Sequence, residues 1–231
     1  MDGDCLDQDT PSGTPAEKKL IHTCHTGDLT PEQERENELL LEALAECERL
    51  GVDPEKIIPP DPSNAFPRIL VMQSGPKISE RIKQCKELFP VRCYWPDPDN
   101  QIVSERETED APYAIRLRDR IAPDEELKEV SAVQLLTEHR IKAITLAEAI
   151  EHEYQYFLKT GGHLGGGNLT MCAGSRDRHS FKKHVPGYAM PIACILDLVP
   201  YVAWRHGALC IDWCHAEGAS PYLRARQVIT L

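Results

Sequence analysis

The segment at residues 209–223, LCIDWCHAEGASPYL, has the residue types that could do metal chemistry. His215 and Glu217 match the first half of the zinc-deaminase signature, in which a histidine and two thiolates hold zinc and a glutamate moves protons. The second half is missing, because no cysteine follows Glu217 and no Cys-x-x-Cys pair occurs in the chain. Cys210, Cys214 and His215 could supply a more general metal site. On a strand, however, the two thiols share one face and His215 points away, so we expect no bound metal and no cofactor.

A second candidate site combines three separated segments. They are the glycine-rich stretch GGHLGGGN at residues 161–168, the pair Ser175 and Arg176, and residues 213–217 with Trp213, Cys214 and His215. The glycines follow a predicted helix and precede a predicted strand, whereas phosphate-binding loops run from strand to helix. An enzyme with a pocket between these segments is one hypothesis, since α/β sheets usually place ligands at strand ends.

The stretch SRDRHSFKKH at residues 175–184 concentrates positive charge around Phe181. Arg176, Arg178, Lys182 and Lys183 could hold an acidic or phosphate-bearing partner. A solvated loop, or contact with the acidic N-terminal segment of the same chain, would explain the same residues. Because no catalytic signature is complete, the favoured hypothesis is a binding or interaction module. Its candidate ligand-binding residues are Ser175, Arg176, Lys182, Lys183, Trp213, Cys214 and His215.

Charge and cysteine content restrict the class of protein. Residues 1–60 hold 15 acidic and 5 basic side chains, a net −10 out of −11 for the whole chain. A sequence pI near 5.3 makes a broad nucleic-acid-binding surface unexpected. Nine cysteines without regular spacing indicate reduced thiols and a cytoplasmic location. We expect no signal peptide, and prolines and Asp197 interrupt the most apolar stretch, which excludes it as a membrane span.

The chain divides into four parts by composition. Residues 1–29 are predicted to be a disordered acidic tail, because they lack apolar periodicity. A helix is predicted over residues 30–51, with Thr30 as N-cap, Pro31 in the first turn, Gln33 completing a capping box and Gly51 as the stop. Residues 52–66 form a Pro-rich linker, and residues 67–231 form the main domain.

The main domain is predicted to be α/β or α+β, a single mixed-sheet domain with flanking helices. A strand at RILVMQ, a helix at KISERIKQCKELF and a strand at VRCYW suggest a βαβ unit. PDPDNQ and SERETED read as surface loops, and PYAIRL reads as a strand. One helix is expected within residues 124–140. Another begins at Thr145, with Glu148 in its capping box. The residues predicted to face inward on this helix are Leu146, Ile150, Tyr154, Phe157 and Leu158. Four strands follow, at LTMCAG, PIACILDL, VPYVAW and LCIDWC.

Several short motifs in this domain resemble a bacterial family, the domain of unknown function 5701. They are APYAIRL at residues 111–117, ITLAE at 144–148, GSR at 174–176, VP at 185–186 with MPI at 190–192, and DWCHA at 212–216 with YL at 222–223. The resemblance spans roughly residues 67–226 and is strongest after Ala111. The family has a tryptophan where this chain has His215 and Asn-Pro-His at residues 218–220, and DRHSFKKH looks like an insertion. The resemblance implies a domain but no activity, and it implies that HAE is not a conserved metal motif.

Overall fold

A mixed five-stranded sheet with helices packed against it forms the centre of the protein. The computed structural model describes residues 29–61, 63–106, 111–178 and 197–231. The predicted acidic tail lies outside these residues apart from Leu29, and so do Lys182 and Lys183. The predicted mixed-sheet fold class with flanking helices is confirmed.

The helices are α1 (Pro31–Leu50), α2 (Pro54–Ile57), α3 (Ile78–Leu88), α4 (Pro98–Gln101), α5 (Ala132–Thr137) and α6 (Leu146–Thr160), with a 3-10 helix at Glu125–Leu127. The strands are β1 (Arg68–Met72), β2 (Val91–Cys93), β3 (Ile102–Ser104), β4 (Tyr113–Leu117), β5 (Leu169–Met171), β6 (Ser175–Asp177), β7 (Leu198–Arg205), β8 (Ala208–His215) and β9 (Leu223–Ala225).

The strands form three separate sheets. The central sheet has the order β2-β8-β7-β5-β9, in which β2 lies parallel to β8 and β5 parallel to β9. The other two sheets are antiparallel pairs, β1 with β4 and β3 with β6. The predicted βαβ unit is therefore wrong, although its strand, helix and strand all form. β1 pairs with β4 in a separate two-stranded layer and does not join the sheet of β2.

Alternation along β1 shows how this layer is held. Leu70 and Met72 belong to the main core with α3, α6 and β8, whereas Ile69 and Val71 pack with Ala43 of α1. All five residues of β1 are buried. Short segments of continuous apolar residues are typical of strands covered on both faces. The N-terminal helix is thus part of the fold, packed against the main domain through β1.

Local helix signals are confirmed at both long helices. Thr30 caps α1 with a complete capping box, and Gly51 ends it with a left-handed φ of 66°. Thr145 and Glu148 form the predicted box at α6, which ends at Gly161. Leu158 was predicted to face inward but is 58% exposed, whereas the adjacent Phe157 packs against the main core. Within residues 124–140 the predicted helix is short, a 3-10 turn followed by α5.

The predicted linker contains secondary structure. Asp53 caps α2 by accepting a hydrogen bond from the Glu55 amide, and Ile57 and Ile58 pack against the cluster of α1 and β1. Phe66 at its end is buried. The linker therefore contributes to the interface between α1 and the rest of the protein.

The middle of α6 buries a histidine. His152 is 1% exposed, and neither ring nitrogen has a hydrogen-bond partner. Burial lowers the pKa of His152 well below its usual value of 6.5, and the positive charges of Arg226 and Arg68 lower it further. The adjacent Glu153 carboxyl responds in the opposite sense, since burial raises its pKa. Folding therefore requires a neutral imidazole at this position.

We predict that acid destabilises the protein through His152. Below pH 6.5 the unfolded chain protonates this imidazole and the folded chain does not, so stability is full above 6.5 and falls as pH decreases. The loss is at most about 1.4 kcal/mol per pH unit. Glu153 contributes with the opposite sign, because its raised pKa lets the folded state take up a proton before the unfolded state does. The pH dependence of the wild type alone therefore measures the sum of the two effects.

Urea unfolding of wild type and His152→Leu at pH 7 and pH 5 isolates the histidine. We expect the wild type to lose more stability than the variant between the two pH values. The matched control is His139→Leu, at an exposed position, which should keep the wild-type dependence. Parallel pH dependences of wild type and His152→Leu would contradict the assignment.

Candidate functional site

A polar cleft opens where α6 begins. Its volume is about 230 Å³, and its polar and charged lining consists of Lys77, Asp99, Asn100, Ser104, Arg106 and Arg178. Three of these side chains are cationic and one is a carboxylate. The lining is therefore positively charged, in a chain whose net charge is −11.

Four different elements bring these residues together. Lys77 precedes α3, Asp99 and Asn100 lie in α4, and Ser104 ends β3. The pairing of β3 with β6 sets Ser104 opposite Ser175, and Arg178 follows β6 directly. The Arg178 amide also donates to the Gln101 carbonyl oxygen at 2.6 Å, which fixes the exit of β6 beside α4. The small β3–β6 sheet is therefore the frame of the cleft.

The guanidinium of Arg106 is anchored by the buried carboxylate of Glu148. Arg106 Nε donates to Glu148 Oε1 at 2.7 Å and Nη2 donates to Oε2 at 2.9 Å. Tyr113 Oη and the Thr145 amide also donate to this carboxylate, at 2.9 and 2.7 Å. Burial lowers the pKa of Arg106, but Glu148 more than offsets this and the pKa is raised overall. Arg106 thus stays charged at the wall of the cleft.

Two serine hydroxyls connect the cleft to the first turn of α6. Ser175 Oγ accepts a hydrogen bond from the Leu146 amide at 2.9 Å and lies 2.7 Å from Ser104 Oγ. Either hydroxyl can donate the bond between them. When Ser175 donates, Ser104 keeps its own proton for a group in the cleft. Ser175 itself is fully buried and does not line the cleft, so it can affect a ligand there only through its bond to Ser104.

Gly174 allows this part of the chain to approach the start of α6. A Cβ at this position would lie 2.6 Å from the Ala143 carbonyl oxygen, which no side chain could tolerate without a shift. The Gly174 amide donates to the Ile144 carbonyl oxygen at 3.1 Å, and its own carbonyl accepts from the Glu105 amide at 2.9 Å. The glycine before Ser175 is thus required by close backbone packing.

Lys77 and Arg178 are the accessible cations of the cleft. Both are exposed, and among the described residues neither forms a salt bridge. The Asp99 carboxylate accepts hydrogen bonds from the Ser79 amide at 3.0 Å and from Ser79 Oγ at 2.5 Å. The Asp99 carboxylate is therefore bonded to the first turn of α3. The N–H donors of Lys77 and Arg178 remain available for a ligand in the cleft.

The residues proposed for an enzyme pocket are not gathered around one cavity. The space beside the glycine-rich stretch is lined by Leu164, Gly165 and His152, but by neither Ser175 nor residues 213–217. The stretch is fastened to α6, since Glu153 binds both His163 Nδ1 at 2.7 Å and the Leu164 amide at 3.0 Å. Its glycines therefore serve a fixed turn over the end of α6 in this structure.

The other predicted site residues lie apart from the cleft. Arg176 is half-buried in β6 opposite Val103, and Trp213 and His215 lie near the end of β8 with their rings in edge contact. Cys214 is on the other face of β8, with its thiol 3.5 Å from the Val199 carbonyl oxygen. Within the described residues no three His, Cys, Asp or Glu side chains could together hold a metal ion. No helix of the described part is long and apolar enough to span a membrane.

Sequence reasoning missed Lys77, Asp99 and Arg106. Lys77 had a readable signal, because QSGPK lies between a strand and a helix, the order that phosphate-binding loops use. Arg106 is the one basic residue in the acidic SERETED, and PDPDNQ contains Asp99, so both were assigned to surface loops. The strands β3 and β6 were missed too, because each has only three residues.

Comparison with known proteins adds no relative of this chain. No family model matches it, and neither a curated protein nor a solved structure does. The resemblance to the bacterial family 5701 stays a prediction carried by its short motifs. The site is accordingly assigned from its own residues.

We predict that Glu148→Gln destabilises the protein by about 3 to 5 kcal/mol, because the charge of Arg106 is left without its buried partner. The matched control is Glu126→Gln, which breaks the pair with Arg120 where both side chains are about half exposed. Exposed pairs contribute about 1 kcal/mol or less. Urea unfolding measures both, and equal losses for the two variants would contradict the anchoring role of Glu148.

We predict that Cys214 reacts slowly in the native protein. Burial, with a contribution from the Asp212 charge, raises the pKa of its thiol to about 12. Since the thiolate is the reactive form, iodoacetamide at pH 8 should leave Cys214 unmodified until the protein is unfolded. Peptide mass spectrometry reads the modification, and rapid native labelling of Cys214 would restore a nucleophilic role for it.

Proposed function

We propose that the protein is a binding module that captures an oxyanion, either free or carried by a partner as a phosphate or carboxylate group, in the cleft at the start of α6. The observation that carries this proposal is the convergence of Lys77, Arg106 and Arg178, from three separate elements, on one cavity where Asp99 is the single carboxylate among the described lining residues. Cations gathered in this way repel one another unless an anion lies between them.

The geometry favours a small anionic group over a long polyanion. Charge-assisted hydrogen bonds from arginine to phosphate or carboxylate are short and strong, and a guanidinium held in place keeps its orientation. Ala147, in the first turn of α6, also lines the cleft, and the dipole at this end of the helix favours negative charge. A nucleic-acid partner would need a broader cationic surface than these three side chains provide.

The predicted partner surface at residues 175–184 overlaps this cleft through Arg178. Lys182 and Lys183 belong to the same stretch but lie outside the described residues. An acidic or phosphate-bearing partner is therefore one proposed source of the anionic group, which we place beside Arg178. The six described cysteines are free, which supports a reducing cytoplasm as the proposed location. The resemblance to family 5701 supports a bacterial origin.

An enzymatic function draws no support from Ser175. Its hydroxyl is hydrogen-bonded to the Leu146 amide and to Ser104, and neither of these groups is a base that could activate it. Tyr113, whose hydroxyl donates to the Glu148 carboxylate that anchors Arg106, has its pKa raised by burial and by the Glu148 charge. These contacts support the binding of a ligand over its chemical conversion.

We predict that inorganic phosphate binds in the cleft and that Lys77→Glu and Arg178→Glu each weaken this binding about tenfold or more, equivalent to about 1.4 kcal/mol. Amide NMR spectra of the full chain, titrated with phosphate at low ionic strength, give both the affinity and the location. The expected signals are those of Ser104, Ala147 and Lys77.

Lys83→Glu is the matched control, because Lys83 is an exposed lysine of α3 that does not line the cleft. It should keep the wild-type affinity. If all three charge reversals weakened binding equally, the anion would be responding to overall charge, and the assignment of the cleft would be wrong.

A further inference from the structure

We infer that the cleft selects an oxyanion that still carries a proton, namely hydrogen phosphate, over one that carries none, such as sulfate. This inference rests on the proposed function, because it concerns the same cleft. Asp99 is the residue that would discriminate between the two ions.

The three cations of the lining can only donate hydrogen bonds. Lys and Arg side chains are donors without acceptor atoms, so Lys77, Arg106 and Arg178 bind any oxyanion through its bare oxygens. Ser104 can add a hydroxyl donor when its neighbour Ser175 donates the bond between them. None of these groups distinguishes phosphate from sulfate, since both ions are tetrahedral and negatively charged.

Asp99 differs because an ionised carboxylate only accepts. Its oxygens accept from the Ser79 amide and Ser79 Oγ, and two carboxylate oxygens together have about four lone-pair sites. Asp99 therefore has capacity for one more donor, and it lines the same cavity as the three cations. A ligand oxygen with a proton can fill that capacity, whereas a bare anionic oxygen is repelled.

Free phosphate fits this mixed lining at neutral pH. Its hydrogen phosphate ion carries two negative charges for the cations and one O–H for Asp99. Sulfate has no proton to donate. A phosphomonoester has a second pKa near 6, so at pH 7.5 it is mostly without a proton as well. The ligand class is therefore free phosphate rather than a phosphorylated side chain.

The test compares inorganic phosphate with sulfate on the full chain at pH 7.5 and equal ionic strength, followed by the amide signals of Ser104 and Ala147. We expect phosphate to bind about tenfold more tightly, as one hydrogen bond to a charged group allows. Methyl phosphate should bind with the lower affinity of sulfate. This comparison on the wild-type chain needs no variant to fold.

The variant Asp99→Asn tests whether Asp99 causes the preference for phosphate over sulfate. The amide removes the repulsion and can donate, so sulfate should bind more tightly and the phosphate-to-sulfate ratio should fall to about one. Asp97→Asn is the matched control, since Asp97 is an exposed carboxylate that caps α4 and does not line the cleft. It should keep the wild-type ratio.

The outcomes separate this inference from the proposed function. If neither ion perturbed the cleft signals, the proposed function itself would fail. If both ions bound there with equal affinity, the cleft would be an oxyanion site and the selectivity inferred here would be wrong. A tenfold preference that survived in Asp99→Asn would equally overturn the role given to Asp99.

Discussion

The ion pair between Arg106 and Glu148 is the constraint on which the cleft depends. The carboxylate is fully buried and receives donors from Arg106, Tyr113 and the Thr145 amide. It thereby joins the segment after β3 to β4 and to the first turn of α6. Removing two charges from water is costly, and it is tolerated here because each carboxylate oxygen has its hydrogen bonds. The same pair leaves a positive charge fixed at the cleft wall.

Two of the three sheets contact this pair, one through Tyr113 of β4 and the other through Arg106 after β3. β1 and β4 form a layer between α1 and the main core, and the central sheet packs its other apolar residues against α3 and α6. The short β3–β6 sheet closes the remaining gap at the start of α6, and the cleft lies beside it. The cleft opens where these layers end. Its lining is polar because the apolar residues of each layer are buried within the core that the layer forms.

Local structure was predictable from the sequence, whereas the meeting of distant residues was not. The caps at Thr30 and Thr145 and the stop at Gly51 depend on neighbours within four residues, and all were predicted. The partner of β1 depends on packing against α1, which no local pattern records, so the βαβ prediction was wrong.

The cleft shows the same limit. Arg178 was identified from its basic neighbours. Lys77 and Arg106 lie about 100 and 70 residues away in sequence, and only tertiary structure places them beside it. The candidates at the end of β8 were chosen for their chemical types, but strand alternation separates Cys214 from His215, and neither residue lines the cleft.

Crystals of the full chain with bound arsenate would test the central claim, that the cleft holds a protonated oxyanion, most directly. Arsenate matches phosphate in shape and protonation, and its arsenic atom can be located by anomalous scattering. The account predicts one strong peak within hydrogen-bond reach of Arg106, Arg178 and Lys77, with an arsenate oxygen beside Asp99. Arsenic sites found only elsewhere on the surface, with the cleft free of them at saturating concentration, would contradict it.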